Sequence, residues 1–395
     1  MKRMLMSLLM LAMVVVAKAN DGTYYVNGNH LVPVQESDIA VAKEILTISL
    51  CDDGFARVDV YYEFFNRGKE KTVDMGFEAQ LPYNSGDKYN PKGVHPSIFD
   101  FTATMNGQKL VCRNGVVEAS GKEPTDFKTI DVKKWRVADQ DEWDMGNTIL
   151  TNAAGQQVSI AYAYFFKATF KPGKNIVRHT YRYMMSNGIY RAYEVPYWLT
   201  PAKRWANRQI DDFTLRINAT KTAKHFFLDD KVFASSDFRV VSGKGKVRHR
   251  SNSTIGGYTE ITLRDGAVEW HSKNFRPKYE MYINSADQLE QSEENRDIGS
   301  FYDRCPYYPM SRINFKAAYG REPRSNKEEK EFLSRVCRNL PYAHRGYVFK
   351  DANLKKYFAQ QWWYMPDPNW KMSTDDFTNG DWNMINEISK NIASY

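Results

Sequence analysis

FARVDVYYEF, residues 55–64, alternates without interruption: Val58, Val60, Tyr62 and Phe64 fall on one side, Arg57, Asp59, Tyr61 and Glu63 on the other. A period of two is that of a β-strand with one buried and one solvated face. Working outward, residues 44–50, 71–81 and 99–105 continue the pattern, and Asn106-Gly107 marks a tight hairpin turn. Residues 157–170 form a long run rich in Tyr and Phe that stops at Pro172-Gly173, and 175–184 is expected to pair back across that turn. Five further strands are expected at 212–219, 238–241, 246–250, 258–263 and 267–271, with turn signals at Ser242-Gly243, Gly256-Gly257 and Asp265-Gly266. Many short strands joined by such turns indicate a β-sandwich, which with the helical C-terminal segment described below makes a multidomain α and β chain. Its N-terminal part, residues 20–284, is read as an all-β sandwich, or two in series with a split near 127–151.

The ends differ from this middle. Lys2 and Arg3, an apolar run over 4–16 and the small-x-small triplet Ala17-Lys18-Ala19 read as a signal peptide, residues 1–19, cleaved after Ala19. The run is shorter than the ~20 residues that span a bilayer. No later stretch is long and apolar enough to do so, which predicts export to the periplasm or the extracellular space. The formal charge of +8 falls to +5 once Lys2, Arg3 and Lys18 leave. For an exported protein such mild basicity suits acidic glycans and envelope surfaces, and the sequence carries no zinc-finger spacing, RNP motif or Arg-rich helix for nucleic acid. Cys51, Cys112, Cys305 and Cys337 allow three pairings, and proximity along the chain favours Cys51–Cys112 and Cys305–Cys337.

After a polar, acidic-rich linker over 285–310, residues 311–395 read as a small helical domain. Phe332, Val336 and Leu340 have helical spacing, with acids early and bases late as the helix dipole favours. Gly346 is the expected left-handed stop, and Asp351 caps a second helix with Leu354, Tyr357 and Phe358 on its apolar stripe. Trp362, Trp363 and Tyr364 close it.

CRNLPYAHRGYVFKDANLKKYFAQQWWY, residues 337–364, resembles the YARHG domain, a small bacterial extracytoplasmic module. Its motif is Tyr342-Ala343-His344-Arg345-Gly346, with His and Arg in reverse order and Pro341 just before it. The resemblance covers about 325–392 and implies a compartment, not a reaction. More softly, PGKNIVRHTYRYMMSNG (172–188), YWLTPAKRWANRQIDDFTLRI (197–217) and WHSKNFRPKYEMYI (270–283) resemble a secreted β-rich domain of unknown function that can precede such modules.

Two readings of the motif stand side by side. Arg338, Tyr342, His344, Arg345 and Trp363 could form a site for an anionic or sugar ligand, since guanidinium groups grip carboxylates and aromatic faces stack on sugar rings. Alternatively, and as the reading preferred here, the same residues simply specify a very small core. Lys244, Lys246, Arg248, His249 and Arg250 form a basic hairpin, read either as a solvated turn or as a contact for anionic polymer. HExxH, G-x-S-x-G, P-loop and CxxC motifs are missing, no two histidines have metal-ligand spacing, and Asp139, Asp141 and Asp144 lack the Gly and Glu of an EF-hand. No metal or cofactor is expected. The first reading is a non-enzymatic envelope protein that binds a cell-wall or surface glycan or an envelope partner. The alternatives are a hydrolase of envelope polysaccharide or peptidoglycan, whose paired carboxylates would meet only in the fold, and a structural or assembly protein.

Overall fold

The structure is a computed structural model that describes residues 29–33, 37–51, 54–79, 98–118, 134–137, 149–188, 191–219, 224–233, 237–252, 255–286 and 314–388. The expected signal peptide, most of the 127–151 interval and Cys305 lie outside these residues. Among the described residues the strands form two sheets. The smaller contains β1 (Asn29–Pro33), β4 (Lys71–Ala79), β7 (Arg113–Glu118), β8 (Trp135–Val137), β9 (Ile149–Asn152) and β10 (Gln157–Phe170). The larger begins with β2 (Ile39–Leu50), β3 (Phe55–Asn66), β5 (Ile98–Met105), β6 (Gln108–Lys109) and β11 (Gly173–Met184). It continues through β12 (Ser186–Gly188), β13 (Arg191–Tyr197), β14 (Ile210–Ala219), β15 (Lys224–Asp229), β16 (Arg239–Asn252), β17 (Gly256–Phe275) and β18 (Met281–Ser285). Its order is β12-β13-β18-β15-β17-β14-β2-β3-β11-β5-β6, with β16 also on β17; β14 and β2 run parallel.

The alternation of residues 55–64 is realised in β3. Val58, Val60, Tyr62 and Phe64 are buried while Arg57 is exposed. One hydrophobic core joins the two sheets, with Met75, Phe166 and Phe170 of the smaller packed among residues of the larger. The Phe64 ring lies 5.4 Å from Phe170 and 4.5 Å from Trp205, and Phe101 stacks on Tyr164 at 4.5 Å. Each fully buried side chain of this size contributes roughly 1.5–3 kcal/mol, so these rings tie the layers together. A large β region followed by a small helical one is thus the fold.

Three expectations are corrected. First, β11 does not pair back on β10: β10 belongs to the smaller sheet and β11 joins β3 and β5 in the larger. Pro172-Gly173 is therefore a corner between sheets. The buried Asn175 amide holds it, donating to Lys171 O (2.7 Å) and Gly173 O (3.1 Å) and accepting from Lys171 N (3.0 Å), in place of a hairpin ladder.

Second, Ser242-Gly243 and Asp265-Gly266 do not end strands. They face each other within the long β16–β17 ladder, where the register shifts between Val240 and Ser242 and again between Lys244 and Gly245. Gly243 and Gly266 both have positive φ, and a Cβ on Gly266 would strike the Ser242 carbonyl. The glycines thus build bulges rather than turns.

Third, Cys51 and Cys112 form no disulfide. Cys112 is a free thiol that donates to Leu110 O (3.8 Å), while the Cys51 thiol donates to Ser49 O (3.5 Å). Strands β3 and β11 separate β2 from β5, a distance of about 14 Å at ~4.8 Å per strand and far beyond disulfide reach.

The C-terminal unit contains α1 (Phe315–Tyr319), α2 (Asn326–His344), α3 (Ala352–Ala359) and α4 (Asn379–Asn383). Ser325 and Asp351 cap α2 and α3 by accepting from Glu328 N (3.2 Å) and Leu354 N (2.9 Å). Gly346, at φ 90°, ends the first of these helices as expected. Pro341 lies inside α2, which continues through it to His344. Phe332, Val336, Leu340, Leu354, Tyr357, Phe358 and Trp363 form a second core.

Candidate functional site

The motif residues do not share one open face. Arg338 is exposed, Tyr342 is half-buried against Phe377 (5.2 Å), and His344, Arg345 and Trp363 are buried. His344 stacks on Trp363 at 4.2 Å and 15°. Burial above all, helped by nearby His225, pushes its pKa down to about 3, so it is a neutral ring. Arg345 turns the other way and is consumed internally. It donates to Pro341 O (2.8 Å), Asp376 O (2.5 Å) and the Asp381 carboxylate (2.6 Å), and its guanidinium covers Phe377 at 4.2 Å. These contacts place His344, Arg345 and Trp363 in the core of the helical unit, as the second of the two readings has it, while Arg338 stays exposed apart from them.

The basic hairpin also has a different role. Lys246 Nζ donates to Trp362 O (2.7 Å) and Tyr364 O (2.9 Å), and Lys244 Nζ pairs with Asp367 (2.9 Å). Arg264 of β17 donates to Met365 O and to Asp367, both at 3.1 Å. Arg248 covers the Trp362 ring at 3.9 Å while its Nε donates to Glu260 (2.6 Å). Glu260 is 3% exposed and also pairs with His225 Nε2 (2.7 Å). Burial alone would raise the Glu260 carboxyl, but the His225 and Arg248 partners together outweigh it and hold it at about 2. Alternate cations of β16 therefore clamp the loop after α3 onto the sheet.

Gly346 closes this joint. A Cβ there would strike Arg264 Nη1 and lie 2.7 Å from Met365 O, and the Gly346 carbonyl accepts from Asp367 N (2.7 Å). Gly346→Ala is therefore expected to destabilise the protein by roughly 1–3 kcal/mol through positive-φ strain and loss of the Arg264 contact. A lower urea midpoint at an unchanged slope checks it.

A polar groove lies on the outer face of the larger sheet. Cross-strand registers place two rows over its central strands. One runs Asn218, Ser49, Arg57, Arg182; the other runs Arg216, Thr47, Asp59, Thr180, Thr102. The groove above them has a volume of about 710 Å³. Asp59 is held by Arg178 and Asp100 by Arg182 (3.1 Å), so each groove carboxylate already has a guanidinium partner. Asp100 adopts φ 57° at a bulge in β5, which re-aims its side chain toward Arg182. Arg182 covers Phe55 at 4.8 Å. Arg57, directly opposite Arg182 in register, is exposed and makes no hydrogen bond or ion pair among the described residues. Like charges directly opposite each other on a sheet repel; Asp100 offsets Arg182, while Arg57 has no such carboxylate among the described residues. Sequence reading placed Arg57 and Asp59 on an outer face. It could not align them with Asn218 or Arg182, since strand register is not written locally.

Residues 316–391 match the YARHG domain family, so the C-terminal helices are a YARHG domain. No curated protein matches the chain. Among solved structures, a candidate nutrient binding protein from Legionella pneumophila is 19% identical with TM-score 0.47, covering 93% of this chain and 99% of its own. An M1 zinc metallopeptidase from Deinococcus radiodurans is 10% identical with TM-score 0.25, covering 64% of this chain and 43% of its own.

Proposed function

We propose that this is an exported binding protein of the bacterial envelope whose sheet groove takes an acidic glycan, with the YARHG domain docked as a structural partner of the sheet. The observation that carries the reading is Arg57, an unengaged guanidinium facing Arg182 on a floor of Ser, Thr and Asn side chains. A carboxylate of an acidic glycan would relieve that repulsion, and the neighbouring hydroxyls and amide would meet sugar hydroxyls. Neither groove carboxylate lacks an arginine partner, which favours binding over hydrolysis. Net basicity supports an anionic partner.

The test is co-sedimentation of the full chain with purified peptidoglycan, and calorimetric titration with an oligosaccharide of uronic acid, at low salt. Arg57→Glu is expected to weaken whichever interaction is seen by roughly 10–100-fold, the range set by one charge-assisted bond. Wild-type protein that stays in the supernatant and gives no heat, or a variant that binds as tightly as wild type, refutes the groove assignment.

A further inference from the structure

The face of β2 opposite the groove carries a second feature. Glu44, Leu46, Ile48 and Leu50 all point inward, so a carboxyl group occupies a position of the apolar stripe. Glu44 is 4% exposed. The hydroxyls of Tyr197 and Tyr62 reach its carboxyl, and among the described residues no Lys, Arg or His lines the space beside it. That space is a small cavity of about 20 Å³, walled by Tyr62, Tyr197, Trp198 and Trp205. A centre-accessible volume of roughly 10–15 Å³ holds one water-sized particle. Trp205 and Tyr197 are buried, whereas Trp198 is only half-buried and is the wall nearest solvent.

A single buried carboxyl among phenol oxygens and indole faces, with room for one small particle, is a cation-selective arrangement. Carboxylate and phenol oxygens accept hydrogen bonds, and aromatic faces attract positive charge. An ammonium group has the size of a water molecule and donates in several directions. Divalent ions require more oxygens than this pocket supplies.

We propose that Glu44 and its aromatic walls form a site for one ammonium group, either the free ion or the protonated head of a primary amine. Entry is charge-balanced: the Glu44 carboxylic acid gives up its proton to solvent, and the carboxylate left behind pairs with the cation. The buried site thus exchanges one proton for one ammonium group without changing its net charge. It lies on the opposite face of the sheet from the groove and does not depend on the glycan reading.

The test titrates the full chain with ammonium chloride in weakly buffered solution near neutral pH. Proton release and tryptophan fluorescence are followed, with sodium chloride at equal ionic strength as the control. Saturable release approaching one proton per chain, with a fluorescence change absent in sodium, is expected. Glu44→Gln, a neutral mimic of the acid, should abolish both signals. Tyr197→Phe, which keeps the acid and removes one oxygen, should weaken the ammonium response about tenfold. A response to methylammonium identifies an amine head as an acceptable ligand, and a response to ammonium alone identifies the free ion. A signal matched by sodium, no proton release, or release that survives Glu44→Gln overturns the proposal and leaves the cavity a water site.

Discussion

Asp381→Ala is expected to destabilise the protein by about 3–5 kcal/mol, the range for removing one partner of a buried ion pair. Asp381 and Arg345 have side chains 2% and 5% exposed and meet at 2.6 Å. The carboxylate also accepts from Thr378 N and Thr378 Oγ1, both at 2.8 Å, within the capping box of α4. The substitution therefore leaves a guanidinium buried with only the carbonyls of Pro341 and Asp376 as acceptors, and removes the reciprocal half of the capping box, while Thr378 Oγ1 still accepts from the backbone of residue 381. Arg345→Met alone strands the carboxylate instead, although Thr378 still donates to it. Because both changes break one network, the double variant should lose clearly less than the two single losses added together. Urea unfolding of the four proteins measures the coupling. Additive losses would mean that the motif arginine is not held through Asp381, and the structural account of the motif would fail with it.

That network shows where sequence reading is strong and where it stops. Caps and stops are local chemistry, so Asp351 and Gly346 act on neighbours within a few residues. The alternation of β3 is equally local, and it survives into the structure because one face must be buried. The Arg345–Asp381 pair joins residues 36 apart, and Arg264 meets Asp367 across 103, so neither is visible from spacing. Gly346 is instructive because it was expected as a helix stop on local grounds alone. Its second role, giving Arg264 and the Met365 carbonyl room to approach, needs the sheet to be in place. The cations of the basic hairpin misled for the same reason: a run of charge reads as solvated until the surface opposite it is known. The groove depends on register across several strands, and Pro172-Gly173 shows how a correct turn signal can still send the next strand to the wrong sheet. Glu44 alone was within reach, since a carboxylate on the Leu46–Ile48–Leu50 side of an alternating strand is a local contradiction of the pattern.

Glu44 should make the protein less stable as pH rises, against the usual behaviour of acids held by cations. Burial is the largest influence on it and outweighs the hydroxyls of Tyr197 and Tyr62, raising its pKa from 4.5 to about 8. Below pH 4.5 the folded and unfolded chains both hold the proton and there is no penalty. Between 4.5 and 8 the unfolded chain releases the proton while the folded chain keeps it, and stability falls by about 1.36 kcal/mol per pH unit, roughly 5 kcal/mol in all. Two buried histidines oppose this in the lower part of the window. His179 and His344 are pushed down from 6.5 to about 4 and about 3, chiefly by burial, so their contributions grow as pH rises to 6.5 and then level off. The phenols coupled to Glu44, those of Tyr62, Tyr181 and Tyr197, are raised well above 10 and stay neutral throughout. Between pH 6.5 and 8 the Glu44 slope therefore stands alone among these groups, and the wild-type protein should lose about 2 kcal/mol there. Glu44→Gln keeps the histidines and removes the acid, so the difference between the two proteins isolates the carboxyl. Urea unfolding in sodium phosphate, free of ammonium and amines, should show the two proteins converging near pH 5 and the variant increasingly the more stable toward pH 8. Parallel curves would mean that Glu44 ionises in the folded state as readily as in water, and the buried position assigned to it would be wrong.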